Sequence, residues 1–257
     1  MRERQILINN VKTNIKISGE GEPLLILHGW GGSSDSWIKT QAILSKNGFK
    51  VIAPDLPGFG KSITPPIPWE VKDYSNFILG LTQELNLKNF FLLGHSFGSR
   101  IAVKFALAFP EKVKKLILCN ASGIKGRTGV KTWLIYQIAR VGNAIFTPRV
   151  LARFRDHSRN LFYIFIRHHD YVKADGTMKE TLKKVCQEDL LPILSEIKTK
   201  TLIIWGDKDK MVPVKFAHIF KKNIEDSELI ILPRIGHSPH LEVPGTLAEI
   251  ILSFLKK

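Results

Sequence analysis

A chain of 257 residues with 44% hydrophobic side chains is long enough for one large α/β domain around a buried core, which excludes a disordered or low-complexity protein. It holds no run of ~18 uncharged apolar residues, and its start, MRERQILINN, lacks the apolar segment of a signal peptide, so a cytoplasmic protein is expected. The formal net charge of +15 favours anionic partners by long-range attraction without naming one.

In chain order, Ile6–Ile8 and Asn14–Ser18 read as an opening hairpin. Short apolar runs follow at Leu24–Leu27, Val51–Ala53, Phe90–Leu93, Lys115–Leu118, Leu202–Trp205 and Leu229–Leu232. Such runs suit parallel strands covered on both faces. Between them lie helix candidates at Asp35–Lys46, Val71–Leu85, Phe97–Phe109, Val214–Lys222 and Pro244–Leu255, the last opened by a proline at a favoured first helical position. Strand–helix alternation implies an α/β fold, a doubly wound, mostly parallel sheet with helices on both faces. Residues 1–121 and 199–257 form its expected core. Residues 122–198 break the alternation and read as a helical insert, or cap, on that core. The insert is rich in Arg and Lys and interleaved with aromatics from Trp133 to Phe165. Thr64 to Pro68 is a stiff proline-rich loop. Cys119 and Cys186 sit in no metal-ligand spacing and are expected as two reduced, buried thiols.

The chemistry is carried by Gly94-His95-Ser96-Phe97-Gly98, which fits G-x-S-x-G between an apolar strand and a helix. A sharp turn there lifts the Ser96 hydroxyl above the sheet in a strained backbone region. Side chains at 94 and 98 would collide with the neighbouring strand and helix, and the new helix aims its N–H groups at developing negative charge. The string alone is weak; its strand-to-helix setting is what the mechanism demands.

A serine hydroxyl needs an adjacent base. His237, in the loop after the last expected strand and next to Gly236, is the expected base; His240, just before the final helix, is the competitor and reads as structural. The base in turn needs a carboxylate. Asp209 at the end of Trp205-Gly206-Asp207-Lys208-Asp209 is the expected acid, and Asp207 is expected to cap that turn. The site after the preceding strand, Cys119-Asn120-Ala121-Ser122, offers no carboxylate. Leu27-His28-Gly29-Trp30 follows the third strand, and the backbone N–H groups of Trp30 and Phe97 are the expected oxyanion donors. His28 is expected to hydrogen-bond within the loops.

With HGWGGSSDSW, PDLPGFGKS, GHSFGS, WGDKD and GHSPHLEVP in this order, nearly the whole chain resembles the α/β-hydrolase superfamily, in its small capped serine esterase-like branch. The resemblance implies an eight-stranded sheet with an antiparallel second strand and a helical cap between strands six and seven. It also implies acyl transfer through an acyl-enzyme, with no cofactor or metal, on a small-molecule ester. Superfamily members that dehalogenate or open epoxides use aspartate where this chain has Ser96. Relatives that cleave carbon–carbon bonds also use serine but are expected to carry Asn before it, where this chain has His95. Acyltransferase or perhydrolase chemistry runs on the same triad and stays open. A reading from another class is a ligand-binding or membrane-docking protein on this scaffold, with the basic, aromatic insert against an anionic membrane surface.

Other signals carry less. Gly60-Lys61-Ser62 lacks the glycine a phosphate-binding loop needs five residues before its second glycine, where Asp55 stands; Asp55 is expected to bond local backbone. His168-His169-Asp170 offers adjacent residues that face different ways, a poor metal site. No nucleic-acid motif occurs, so no nucleic-acid partner is expected.

Overall fold

Strand β3 (Glu22–Leu27) shows how the sequence builds the molecule. Successive side chains on a strand point to opposite faces. Leu24 and Ile26 therefore enter one buried cluster, and Leu25 and Leu27 enter the other. The same split recurs along β5 (Phe90–His95), where Phe91 and Leu93 face one way and Phe90 and Leu92 the other. A strand apolar on both faces must be covered on both faces, and helices do this here. On one side lie α1 (Ile38–Lys46) and the last helix, Pro244–Leu255; on the other lie α2 (Val71–Glu84), α3 (Phe97–Ala108) and the helix Lys215–Asn223.

The computed structural model describes residues 1–125 and 176–257. With β1 (Arg2–Ile8), β2 (Val11–Ser18), β4 (Phe49–Pro54), β6 (Val113–Cys119), β7 (Thr201–Gly206) and β8 (Ser227–Leu232), the strands form one eight-stranded sheet in the order β1-β2-β4-β3-β5-β6-β7-β8. Strand β2 runs antiparallel to both neighbours, β1 and β4, and every other neighbouring pair is parallel. The parallel strands therefore deliver their carboxyl ends, and the loops after β3, β5, β6, β7 and β8, to one edge of the sheet.

The expectations for the first strand and for Cys186 need correction. The first strand is longer than Ile6–Ile8, because exposed Arg2 to Gln5 also pair with β2, from Arg2 opposite Ile17 to Gln5 opposite Asn14. This is an edge strand, whose charged side chains carry no core signal. Cys119 is buried as expected, but Cys186 is exposed.

Of the insert, residues 126–175 lie outside the described residues, and with them the basic and aromatic stretch from Arg127 to Arg167 and the triplet His168-His169-Asp170. Its described end is helical over Gly176–Gln187 and makes a 3-10 turn over Leu191–Glu196. Val185, Leu190, Leu194 and Ile197 pack into the core cluster of α2 and α3. Buried Arg100, on α3, donates to Ser122 Oγ (3.1 Å) and to the carbonyls of Val185 (2.9 Å) and Glu188 (3.0 Å), which ties both described ends of the insert to the same helix. Among the described residues no helix is long and apolar enough to cross a membrane.

Candidate active site

The turn from β5 into α3 is built as its glycines suggest. A Cβ on Gly94 would sit 2.5 Å from the Gly98 carbonyl oxygen, and one on Gly98 would sit 2.2 Å from that of Leu27. Backbone cannot yield to such contacts, so hydrogen is required at both positions. Ser96 between them takes φ 50° and ψ −113°, a strained conformation for a residue with a Cβ, worth roughly 1–3 kcal/mol. The strain is held by flanking bonds: Ser96 N–H donates to Cys119 O (3.1 Å), and its own carbonyl accepts from Ser99 N (3.1 Å) and Ser122 N (3.3 Å).

His237 comes to this turn from the loop after β8. Gly206 allows that loop to cross β7 closely, since a Cβ there would meet the Gly236 and Ile235 carbonyl oxygens at 2.3 Å each. The Glu242 carboxylate braces the loop by accepting from Gly236 N (2.8 Å) and Ser238 N (3.2 Å). The His237 ring then lies with Nε2 3.0 Å from Ser96 Oγ and Nδ1 2.7 Å from Asp209 Oδ2.

Asp209 has a fully buried side chain, and all of its surroundings donate. Oδ1 accepts from Met211 N and Val212 N, each at 2.8 Å, and Oδ2 accepts from His237 Nδ1 and from Asn120 Nδ2 at 2.7 Å. Burial alone would raise its pKa. The hydrogen bond and nearby charge of His237, with the Asn120 and Val212 donors, outweigh burial and hold it below the usual carboxylate value. An ionised carboxylate only accepts, so His237 carries its hydrogen on Nδ1 and turns a bare Nε2 lone pair to the Ser96 hydroxyl. The arrangement can therefore draw the proton from Ser96.

Asp207 does not cap its own turn, contrary to expectation. Its Oδ1 accepts from Arg234 N (2.6 Å) on the approach to His237, and the turn after β7 is capped instead by Asp209 Oδ1. His240 is buried and stacked on Trp37, with ring centroids 4.4 Å apart and planes 6° from parallel. Burial, and then the neighbouring His237 and His28, push its pKa down to about 4. His28 donates from Nδ1 to Gly29 O (2.8 Å) and accepts at Nε2 from Leu56 N (2.9 Å), as a loop fastener. Asp55 bonds locally to Lys61 N (2.9 Å) and also reaches Ser34 N (2.7 Å) and Asn14 Nδ2 (3.0 Å).

The expected oxyanion donors flank the serine. Phe97 opens α3, where a backbone N–H has no intrahelical acceptor. Trp30 follows Gly29, and Gly29 lies so close that a Cβ on it would be 3.2 Å from Ser96 Cβ. The Trp30, Phe59 and Phe97 rings meet edge-on or tilted, with centroids 4.8–6.1 Å apart, and form an apolar wall beside the turn.

A model of the alpha/beta hydrolase fold matches residues 22–141. The pimeloyl-[acyl-carrier protein] methyl ester esterase of Wigglesworthia glossinidia brevipalpis is 32% identical over 260 residues, covering 94% of this chain and 97% of that protein. The chain belongs to the alpha/beta hydrolase fold family. Within that family it is also similar to a 2-hydroxy-6-oxononadienedioate/2-hydroxy-6-oxononatrienedioate hydrolase of Comamonas testosteroni, 25% identical over 96% of this chain and 92% of that protein. Among solved structures, an esterase from Exiguobacterium antarcticum matches with a TM-score of 0.78 and 25% identity, covering 100% of both chains.

Two neighbours of the three expected site residues were not legible in the sequence as participants. Asn120, at φ 45° just beyond β6, spans Asp209 Oδ2 and the Gly236 carbonyl (3.2 Å). His95 Nε2 lies 2.8 Å from the His237 carbonyl. The only sequence signal for either is a polar residue at the carboxyl end of a strand.

Proposed function

We propose that the protein is a serine hydrolase of carboxylic esters, with Ser96 as nucleophile, His237 as base, Asp209 as the acid that orients it, and the Trp30 and Phe97 N–H groups as oxyanion donors. One observation carries this reading: the contacts Ser96 Oγ to His237 Nε2 at 3.0 Å and His237 Nδ1 to Asp209 Oδ2 at 2.7 Å stand in series.

In the first step Ser96 Oγ bonds to the ester carbonyl carbon while its proton passes to His237 Nε2. Negative charge moves onto the former carbonyl oxygen, toward the two N–H groups, each such donor being worth ~3–4 kcal/mol. The intermediate collapses, the carbon–alkoxy bond breaks, and Nε2 returns the proton to the leaving alkoxide. Water then repeats the sequence on the acyl-Ser96 ester, giving its proton to His237 and releasing the acid. Asp209, ionised at neutral pH, stabilises the imidazolium that forms twice per cycle. Asn120 supports Asp209 by donating to Oδ2, the oxygen that also accepts from His237. The aromatic wall of Trp30, Phe59 and Phe97 favours an ester with an apolar group against it.

Carbon–carbon bond hydrolysis is the second reading, favoured by the similarity to the Comamonas testosteroni hydrolase. Against it stands His95 at the position before the nucleophile. Assay of p-nitrophenyl esters of graded chain length with wild type and Ser96→Ala tests the first reading. Turnover by the wild type that falls to the solution rate in the variant is expected. Equal turnover by both proteins removes Ser96 as the nucleophile, and wild-type inertness to every ester while a vinylogous diketone is cleaved favours the second reading.

A further inference from the structure

His95 ends β5 one residue before Ser96, and its side chain follows Phe91 and Leu93 onto the face covered by α1 and the last helix. There its ring lies 4.5 Å from that of His240, 5.1 Å from that of His237 and 6.2 Å from that of Trp37, centroid to centroid. Its Nε2 is 2.8 Å from the carbonyl oxygen of His237. A carbonyl can only accept, so Nε2 bears the hydrogen, and a neutral ring leaves Nδ1 bare. That Nδ1 is buried with no hydrogen-bond partner among the described residues, packed against Gly29, where a Cβ would come within 2.9 Å of it.

Consecutive residues of one strand end thus grip the same histidine at two points. Ser96 meets the imidazole, and His95 meets the main-chain carbonyl behind it. The other braces of this loop act on its neighbours: Asn120 on the Gly236 carbonyl, Glu242 on the Gly236 and Ser238 N–H groups. We propose that His95 is a positioning residue for the proposed base, holding the backbone of His237 through Nε2–H···O=C so that its ring stays within reach of Ser96. The inference rests on the serine hydrolase reading. It gives the residue before the nucleophile a task that needs a donor at one fixed distance from the backbone, beyond filling space.

The test compares His95→Gln, whose amide nitrogen lies as many bonds from Cα as imidazole Nε2 and can donate, with His95→Leu, which fills space and donates nothing. Readouts are kcat and KM on p-nitrophenyl butyrate, the second-order rate at which a fluorophosphonate modifies Ser96, and Tm. The expected result for His95→Leu is a kcat lower by about 10–100-fold with KM nearly unchanged, and phosphonylation slowed by the same factor, because a displaced base harms both nucleophilic attacks. His95→Gln is expected to recover most of this. Wild-type kcat in His95→Leu overturns the proposal, as does a folded His95→Gln that is as slow as His95→Leu. Nitrogen-15 NMR of the wild-type ring needs no variant to fold: hydrogen on Nε2 is expected, and hydrogen on Nδ1 alone overturns the proposal. Failure of the hydrolase reading looks different, since the wild type itself would then neither turn over the ester nor react at Ser96.

Discussion

Replacing Asp209 by Asn changes one atom and tests the whole chain of hydrogen bonds. In the native site Oδ1 accepts from two backbone N–H groups, Met211 and Val212, at 2.8 Å each. Asparagine must keep its oxygen there, because its NH2 would face two donors. The NH2 is thereby forced into the Oδ2 position, 2.7 Å from both His237 Nδ1 and Asn120 Nδ2. His237 can satisfy it only by accepting at Nδ1, which moves the ring hydrogen to Nε2. That nitrogen then points a hydrogen at Ser96 Oγ across 3.0 Å and has no lone pair to take the proton. Asn120 offers no relief, since turning its amide round would set its oxygen against the Gly236 carbonyl, which it now serves as donor at 3.2 Å. A wrong tautomer in a triad lowers kcat by about 10⁴-fold, or about 5 kcal/mol of transition-state stabilisation. The assay is steady-state hydrolysis of p-nitrophenyl butyrate at pH 7, with Tm recorded to show that the variant folds. A folded Asp209→Asn protein within tenfold of wild-type kcat would refute this reasoning about the tautomer.

His240, depressed to about 4 by burial, takes up a proton near the ordinary histidine value of 6.5 only when the chain unfolds. Its contribution is intact above 6.5 and is lost as pH falls from there toward 4, by roughly 2–3 kcal/mol at pH 4.5; urea unfolding of wild type and His240→Phe at pH 7 and 4.5 should show a shallower acid loss in the variant, and parallel losses would count against it. Gly98→Ala places a methyl 2.2 Å from the Leu27 carbonyl oxygen and 2.8 Å from that of His28, so a stability loss of about 1–3 kcal/mol or more is expected by chemical denaturation, together with lower esterase activity as Phe97 N–H shifts.

The sheet was legible because its strands are short apolar runs that alternate between two covered faces, and the last helix was read to the residue as Pro244–Leu255. The edge strand was not, because Arg2 to Gln5 are ordered by pairing with β2 and bury nothing that a pattern could report. Expected helix Asp35–Lys46 divides after Trp37 into a 3-10 turn over Ser34–Trp37 and α1, and Trp37 at that boundary stacks on His240 from the far end of the chain. In the site, Ser96, His237 and Asp209 were legible because each sits beyond a strand end with a glycine near it. Asn120 is not legible because a triad calls for a carboxylate, whereas this site adds an amide as a donor to it. Asp209 faces His237 as expected and also takes the capping task expected of Asp207, which instead accepts from Arg234 N, a contact between the distant loops after β7 and β8.

The most direct measurement of the central claim is the mass of the intact protein after reaction with a fluorophosphonate, followed by peptide mapping. One phosphonyl group per chain on Ser96 is expected, absent from Ser96→Ala and formed at least 1000-fold more slowly in His237→Gln, roughly what losing the base costs. Ester turnover that persists after Ser96 is fully modified, or a label that settles on another residue, would contradict the account.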